Sequence, residues 1–374
     1  LGQTGGQIYA TTQLQRFDDF NRNTVLYNSS PFAIGYRQPI LQFNPFKWNK
    51  KIEPLKFEES KQVYLESMEK ISLRATEYFF NVLMAQVNVQ IAETNLKNTA
   101  TISAIANEKY NLGKITKNEI LQLQLESLKA QKAIANAKRD LEISWLNLRA
   151  YVGLPSDNRI ELEIPSRIPE ITISSETALA EAFENRSDAL RYKRQLLEAQ
   201  RNVAKAIGDN GLNATLSATL GFSNRGARIP ELYENPQRQE SIQLELDIPI
   251  LDWGRSKSRT KTAEAEQQLM EYTIEQDQLN FKQEIYTQVT LFDMLRSELR
   301  ITAQTDSIAT EKYNIAQERY VLGFLSTTDL SIAFQEKDQA TRDHITTLQD
   351  YWATYFGLRA LTLYDFEKNE KIKP

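Results

Sequence analysis

The side chains most often used for catalysis and metal binding are nearly absent from this 374-residue chain. It contains one histidine, His344, and no cysteine. The lack of cysteine excludes disulfides, thiolate zinc sites and cysteine nucleophiles. His344 lies in a highly charged helical segment, where a surface position explains it. No phosphate-binding glycine loop and no nucleophile elbow is present. We therefore expect no catalytic residues, no metal site and no cofactor.

The charged residues are numerous but balanced. Lysine and arginine total 45, aspartate and glutamate total 49, and the formal net charge is −4. Both signs are interspersed, which gives no basic footprint for nucleic acid. Hydrophobic residues make up 41% of the chain, which indicates a folded protein. No apolar run approaches the ~20 residues of a membrane-spanning helix.

Three short motifs occur twice in the chain at one fixed spacing. Pro39-Ile40-Leu41 returns as Pro249-Ile250-Leu251, and Leu148-Arg149-Ala150 returns as Leu358-Arg359-Ala360. Between them, Glu108-x-Tyr110-x-Leu112-Gly113 returns as Glu318-x-Tyr320-x-Leu322-Gly323. Each pair is separated by 210 positions, so one register holds from 39–150 to 249–360. Similar composition alone would not place three motifs in one register, and we infer a tandem duplication.

The same register extends backwards and aligns Gly211 with Leu1. The second repeat has a helical segment before that point, at 173–208, and the first repeat has no counterpart. We expect that the natural protein carries an N-terminal helix that precedes this chain.

Each repeat contains a stretch too long for an ordinary globular helix. The 68 residues between Gly254 and Gly323 include no glycine or proline, and 55–112 lack both as well. A helix of 68 residues would extend ~100 Å. After each Tyr-x-Leu-Gly motif the helical pattern resumes. The sequence therefore predicts two helical hairpins, 55–151 and 256–363, with turns at Gly113 and Gly323.

Apolar residues follow helical spacing on the returning segment 117–151. This stripe predicts a packing seam between helices and consists of Leu121, Leu125, Leu128, Ala133, Ala137, Leu141 and Leu148. An amphipathic helix in a soluble bundle would show the same local pattern.

Each repeat also contains a pair of alternating segments. Strands are predicted at 211–223 and 241–251, and more weakly at 6–14 and 32–42. Polar loops at 15–31 and 224–240 would join each pair. Segments of 9–11 residues that alternate between apolar and polar side chains suit a tilted transmembrane strand. The alternative is a half-buried sheet in a soluble α+β domain.

The segments that follow the strands favour the membrane reading. Aromatic side chains come first, with Phe43, Phe46, Trp48 and Trp253. Cations come next, with Lys47, Lys50, Lys51, Arg255, Lys257, Arg259 and Lys261. Aromatic residues beside cations are typical of a membrane–water interface. Four strands cannot close a barrel, and lipid does not tolerate an open sheet edge. In a membrane, this chain must therefore form an oligomer.

These motifs, taken in order, resemble the TolC-type outer-membrane efflux channel family. The resemblance is carried by Gln38-Pro39-Ile40-Leu41, Ile248-Pro249-Ile250-Leu251-Asp252-Trp253-Gly254-Arg255, Tyr110-x-x-Gly113-x5-Glu119-Ile120 and Tyr320-x-x-Gly323-x5-Asp329-Leu330. It covers nearly the whole chain. It implies a mainly α fold in the outer membrane, in which three protomers share a 12-stranded β-barrel above a long α-helical coiled-coil barrel.

The resemblance also implies a division of the chain. Residues 1–150 would form the first repeat, 151–172 an equatorial linker, 173–363 the second repeat and 364–374 a tail. In the family the hairpin tips accept a periplasmic adaptor, also called a membrane fusion protein. That role carries over to Leu112, Gly113, Lys114, Leu322, Gly323 and Phe324. A glycine that serves only the helix turn is the simpler alternative.

Two further sets of residues follow from the resemblance. Family members hold a closed gate through tyrosine and acidic residues near the tip, a role that falls here on Tyr320, Glu119 and Asp329. Leu325 stands where an arginine is often found, so apolar contacts are expected to contribute. Arg37, Gln243, Glu245 and Asp247 would face the barrel lumen.

Two classes of function remain open at this point. The first is a passive homotrimeric exit duct, in contact with outer-membrane lipid, that works with an adaptor and an inner-membrane pump in efflux or type I secretion. The second is a periplasmic coiled-coil scaffold or adaptor, although an adaptor would contain only one long hairpin. An enzyme is disfavoured.

Overall fold

The computed structural model describes residues 4–113, 115–155, 160–165, 168–169 and 171–373. The chain forms two compact units. Unit 1 comprises residues 1–61 and 187–280, and unit 2 comprises residues 62–186 and 281–374.

Unit 1 is built around a four-stranded antiparallel sheet of order β1-β2-β3-β4. Its strands are β1 (Gln7–Asp19), β2 (Thr24–Pro39), β3 (Asn213–Gly226) and β4 (Gln237–Asp247). A four-residue helix, α5 (Glu231–Glu234), lies in the connection between β3 and β4. Strands β1 and β4 form the two edges, and neither edge has a partner within the described residues.

The first two strands are longer than the sequence pattern indicated. Residues 15–31 were expected to form a polar loop, but most of them extend the β1–β2 ladder, which ends at Asp19 paired with Thr24. The polar character of this segment indicated a loop. Backbone pairing continues because alternating polar residues do not interrupt a ladder.

Helix α1 (Pro45–Asn111) begins ten residues before the predicted start at 55. The side chain of Asn44 accepts hydrogen bonds from the backbone N–H groups of Phe46 (3.0 Å) and Lys47 (3.3 Å). Pro45 fits the first helical position, where its missing N–H costs nothing. Pro54, directly before the predicted start, lies inside the helix.

Unit 2 contains the two hairpin tips, and the duplication is visible in its helix lengths. Helices α1 and α6 (Arg255–Val321) each have 67 residues. Helices α2 (Lys117–Val152) and α7 (Thr327–Thr362) each have 36 residues. Corresponding ends differ by 210 positions throughout.

The single helix expected at 173–208 is two helices, α3 (Ser175–Asn185) and α4 (Ser187–Asn210). Between them, Arg186 has extended backbone angles. Its guanidinium lies 4.9 Å from the ring centroid of Phe281 and 3.6 Å from a carboxylate oxygen of Glu66. Ser187 and Asp188 then begin a new helix, and both residue types favour helix starts.

The main core of unit 2 is aromatic. Phe292 stacks on Tyr351 with ring centroids 5.1 Å apart, and Tyr355 is buried beside them. Arg359 closes this core by binding Glu69 (2.9 and 3.2 Å) and Asp365 (2.7 Å). Asp365 belongs to the tail, where β5 (Tyr364–Asp365) pairs with β6 (Glu370–Lys371).

In the described part of the chain, no helix combines the length and the apolar character needed to cross a bilayer.

Candidate functional sites at the sheet and the hairpin tips

The sheet has one polar face, and the four predicted lumen residues lie on it. Gln7, Arg37, Ser217 and Gln243 are cross-strand neighbours in one row. Glu245 pairs with Thr215 and Asp247 with Asn213 in the rows that follow on β4. Directly paired residues point to the same side of a sheet. Arg37, Gln243, Glu245 and Asp247 therefore share one side.

The opposite face is apolar and uncovered within this chain. One row on it consists of Ile8, Tyr36, Ala218 and Ile242, and Leu216 pairs with Leu244 in another. Ile242 is 82% exposed and Leu244 is 58% exposed. A chain that leaves such a face open requires an apolar environment for it.

The first hairpin turns through Gly113, which has φ of 68° and nothing within 4 Å of its Cβ position. Its N–H donates to the carbonyl of Tyr110 at 2.8 Å. Leu112 beside it is 69% exposed. Lys114, the third residue predicted for adaptor binding here, lies outside the described residues.

The second hairpin repeats this geometry. Gly323 has φ of 82° and open space around its Cβ position, and its N–H donates to the carbonyl of Tyr320 at 3.0 Å. Leu322 and Phe324 are 69% and 72% exposed. Both tips thus present exposed apolar side chains beside a glycine, and the space where a Cβ of that glycine would lie is open.

The two acidic residues predicted for the gate cap the returning helices. Glu119 accepts hydrogen bonds from the backbone N–H (2.6 Å) and the hydroxyl (2.9 Å) of Thr116, whose side chain accepts from the N–H of Glu119. These bonds to Thr116 lower the pKa of Glu119. Asp329 accepts from the hydroxyl of Ser326 at 2.6 Å, and Ser326 accepts from its N–H. Each carboxylate is therefore engaged within its own helix start.

Tyr320 occupies a different environment. It is 4% exposed and packs with Leu330, Ala333 and Phe334, while Leu325 covers the edge of the cluster. The ammonium of Lys109 lies 5.1 Å from its ring centroid. Among the described residues, no hydrogen bond joins the hydroxyl of Tyr320 to Glu119 or Asp329. The structure does not bring these three predicted gate residues together within one chain.

A polar cluster that the motif analysis did not single out lies next to this tip. Asn98 on α1 donates to the hydroxyl of Tyr313 on α6 at 2.5 Å. Asp338 on α7 is 4% exposed, and its carboxylate approaches the ammonium of Lys337 only to 4.0 Å. Burial raises the pKa of Asp338 to about 6, against the opposing effects of Lys337 and Arg342. The sequence around Asp338 gives no signal of this burial.

Large apolar side chains form an exposed stripe along α6 in unit 2. They recur every seven residues, with one step of eight, and comprise Tyr286, Met294, Ile301, Ile308, Ile315 and Leu322. On α2, Leu121, Leu125 and Leu128 of the predicted seam are also more than half exposed. Heptad spacing is typical of a helix that packs against another helix. Among the residues that the structure describes, these stripes therefore lack a packing partner.

His344, the only histidine, faces the neighbouring helix. Its Nδ1 lies 3.4 Å from the hydroxyl of Thr302. Within the part of the chain that the structure describes, no three His, Asp or Glu side chains are grouped as metal ligands.

Comparison with known proteins gives a consistent family. Residues 8–154 and 209–362 match the family model described as outer membrane efflux protein. A probable outer membrane lipoprotein, SilC of Salmonella typhimurium, is 25% identical over 234 residues, which are 60% of this chain. The chain spans about half, 48%, of the length of that relative.

Solved structures of low sequence identity share the fold. The CmeC outer membrane channel of Campylobacter jejuni superposes with a TM-score of 0.77 at 16% identity, over 99% of this chain and 79% of that one. The MtrE outer membrane channel of Neisseria gonorrhoeae gives a TM-score of 0.73 at 15% identity, over 100% and 83%.

Proposed function

Because this chain belongs to the outer membrane efflux protein family, we propose that it is one protomer of a homotrimeric exit duct of a tripartite efflux or type I secretion system. Family membership confirms the outer-membrane location expected from the sequence.

The two-faced sheet is the observation that carries this proposal. Its apolar face is exposed, its polar face holds Arg37, Gln243, Glu245 and Asp247, and both edges are unpaired. Lipid on one side, water on the other and neighbouring copies at the edges would satisfy all three features. Three copies of four strands would give the 12-stranded barrel.

The exposed heptad stripe on α6 supports the same assembly at the level of helices. Side chains such as Ile301 and Ile308, 57% and 66% exposed, would be covered by a helix of a second copy. A periplasmic scaffold or adaptor would also need helix partners, but it would not need a sheet with a lipid-facing side.

We propose that Leu112, Gly113, Lys114, Leu322, Gly323 and Phe324 receive the adaptor. The glycines leave low points in the surface of the tip, and the exposed Leu112, Leu322 and Phe324 provide apolar contact around them. The gate would consist of Tyr320, Leu325, Glu119 and Asp329, with the acidic pair keeping the helix starts rigid while neighbouring protomers meet.

Single-channel recording tests this function. The purified protein should fractionate with the outer membrane, run as a trimer in detergent and give discrete conductance steps in planar bilayers. A protein that stays soluble without detergent and conducts no ions would contradict the proposal and favour the scaffold.

A further inference from the structure

Seven cations lie at the starts of the two long helices without a carboxylate partner. They are Lys47, Lys50 and Lys51 on α1 and Arg255, Lys257, Arg259 and Lys261 on α6, and all seven are exposed. In the described part of the chain, none of them forms an ion pair. The next lysines along α1 differ, since Lys56 binds Glu53 and Lys61 binds Glu58, each at 3.0 Å.

The fold places both groups of cations at one end of the sheet, where β2 and β4 stop. In the antiparallel order β1-β2-β3-β4, strands β2 and β4 run in the same direction, so their C-terminal ends lie at the same end of the sheet. The last turn of α4 joins the two helix starts. A Cβ on Gly208 would lie 2.9 Å from the backbone nitrogen of Phe43, and Asn210 donates to the carbonyl of Ser256 at 3.5 Å.

The nearby carboxylates are already engaged. Asp252 accepts from the N–H groups of Gly254 (3.0 Å) and Ser256 (2.7 Å), which lower its pKa. Asp209 binds Lys205, and Glu53 binds Lys56. Glu264 and Glu266, further along α6, form no ion pair with these cations within the described residues, so the seven cations are available to bind anions from outside the chain.

Exposed apolar side chains border the cations on the sheet side. Ile250 and Trp253 are 93% and 90% exposed, and Leu251 is 71% exposed. On α1, the ammonium of Lys51 lies 5.4 Å from the ring centroid of Trp48. Along the chain, the exposed apolar side chains come first, the indole rings next and the cations last. A membrane protein shows the same order from the lipid core through the headgroup region to water.

We propose that these seven cations bind the headgroups of anionic phospholipids in the periplasmic leaflet of the outer membrane. The inference rests on the proposed function, because it requires the apolar face of the sheet to lie in lipid. Phosphate oxygens supply the missing counter-charge, and ~1 kcal/mol per cation near an anionic surface, about fivefold in local concentration, makes the preference measurable.

Trp48 and Trp253 report on the lipids around them. The full chain is reconstituted in phosphatidylcholine vesicles with 20% phosphatidylglycerol, and the bromine quencher is carried by the phosphatidylglycerol or by an equal amount of the phosphatidylcholine. The same measurement on the W48F/W253F variant gives the fluorescence of the other two tryptophans, which is subtracted. We expect at least about twofold stronger quenching by brominated phosphatidylglycerol, with the difference reduced in 1 M salt because screening shortens to ~3 Å.

Charge-removal variants identify the cations responsible. K47Q/K50Q/K51Q and R255Q/K257Q/R259Q/K261Q should each reduce the preference for phosphatidylglycerol. K61Q/K129Q/K138Q, which removes three cations paired with Glu58, Glu126 and Glu93, should keep it.

Equal quenching by the two brominated lipids in the unchanged protein would overturn the inference. So would a preference that survives in both charge-removal variants. Trimer dissociation in those variants, without a lipid preference in the parent, would assign the cations to a neighbouring copy instead. Absence of quenching by either lipid together with absence of conductance would contradict the proposed function itself.

Discussion

Asp338 gives the helical region a pH-dependent stability. Its pKa of about 6 in the folded chain exceeds the ordinary value of 3.8 because of burial. The folded state then binds the proton more tightly than the unfolded state, so this contribution is fully present at low pH and is lost as the pH rises through about 6. The difference of about two pKa units corresponds to roughly 3 kcal/mol.

Asp338→Asn should therefore raise the thermal unfolding midpoint at pH 8 and leave it nearly unchanged at pH 3, below the ordinary pKa of 3.8. Asp343→Asn, an exposed carboxylate on the same helix, provides the control and should change the midpoint little at either pH. An equal effect of Asp338→Asn at both pH values would show that its carboxylate is not buried in the trimer.

A bulky residue at Gly323 should block adaptor docking without preventing folding. Gly323→Trp adds left-handed strain of about 1 kcal/mol, but a Cβ at this exposed tip position meets no atom within 4 Å, so the protein should fold and insert. Adaptor cross-linking and export should fall at least tenfold. Gly153→Trp has the same backbone strain, with φ of 75°, and equally open surroundings, but it lies at the other end of α2. Export that survives in the Gly323 variant would remove this tip from the docking surface.

At the scale of elements, the exposed stripe on α6 predicts where copies meet. Ile308→Arg introduces a charge into this apolar seam and should shift the detergent-solubilised protein from trimer to monomer, measured by native mass spectrometry. Ser307→Arg, at an exposed position about 100° around the helix from Ile308, should leave the trimer intact. A trimer that tolerates Ile308→Arg would place the seam away from the interface.

The capped helix starts predict how the gate opens. Asp329→Ala removes the first-turn carboxylate that binds the N-cap Ser326 and should cost roughly 0.3–1 kcal/mol at the start of α7, seen as faster amide exchange in its first turn. Combined with Tyr320→Phe, it should raise basal conductance. Unchanged conductance in the double variant, with the faster exchange present, would limit Asp329 to capping.

The equality of corresponding helices in the two repeats was the most predictable part of the fold, and the starts of the elements were the least. The 210-residue register anticipates equal helices and both turn glycines, because duplicated chains keep their spacing. Pro54 hid the true start of α1 at Pro45, where Asn44 supplies the cap. Arg186 breaks a helical pattern through contacts with Glu66 and Phe281, which are distant in sequence.

The roles of the predicted site residues could likewise not be assigned from local sequence alone. Sequence spacing located Glu119 and Asp329 at the helix starts, but two roles compete there, since an acidic residue three positions after Thr or Ser is also a helix cap. Asp338 escaped notice because nothing in its immediate sequence shows that Tyr313 and the helix packing bury it. The mainly helical repeat with paired strands, by contrast, follows from periodicity and is confirmed.

For the assembled protein in its membrane, the two faces of the sheet should respond differently to an added charge, even at neighbouring residues of β4. Leu244→Arg places a charge on the apolar face, at a cost of about 2–4 kcal/mol at mid-membrane, and should abolish insertion into outer-membrane fractions. Gln243→Arg adds the same charge to the polar face and should insert normally while altering ion selectivity. Equal insertion of both variants would contradict a lipid-facing role.

The equal lengths of corresponding helices restrict how such a chain can evolve. A heptad inserted into α1 alone would carry Gly113 about 10 Å further than Gly323, and its returning helix would fall short. Insertions and deletions are therefore viable only as matched sets in both descending and both returning helices. We expect relatives with longer or shorter helical hairpins to differ from this chain by paired insertions or deletions placed 210 residues apart. The tandem repeat thus allows the hairpins to change length only when both repeats change together.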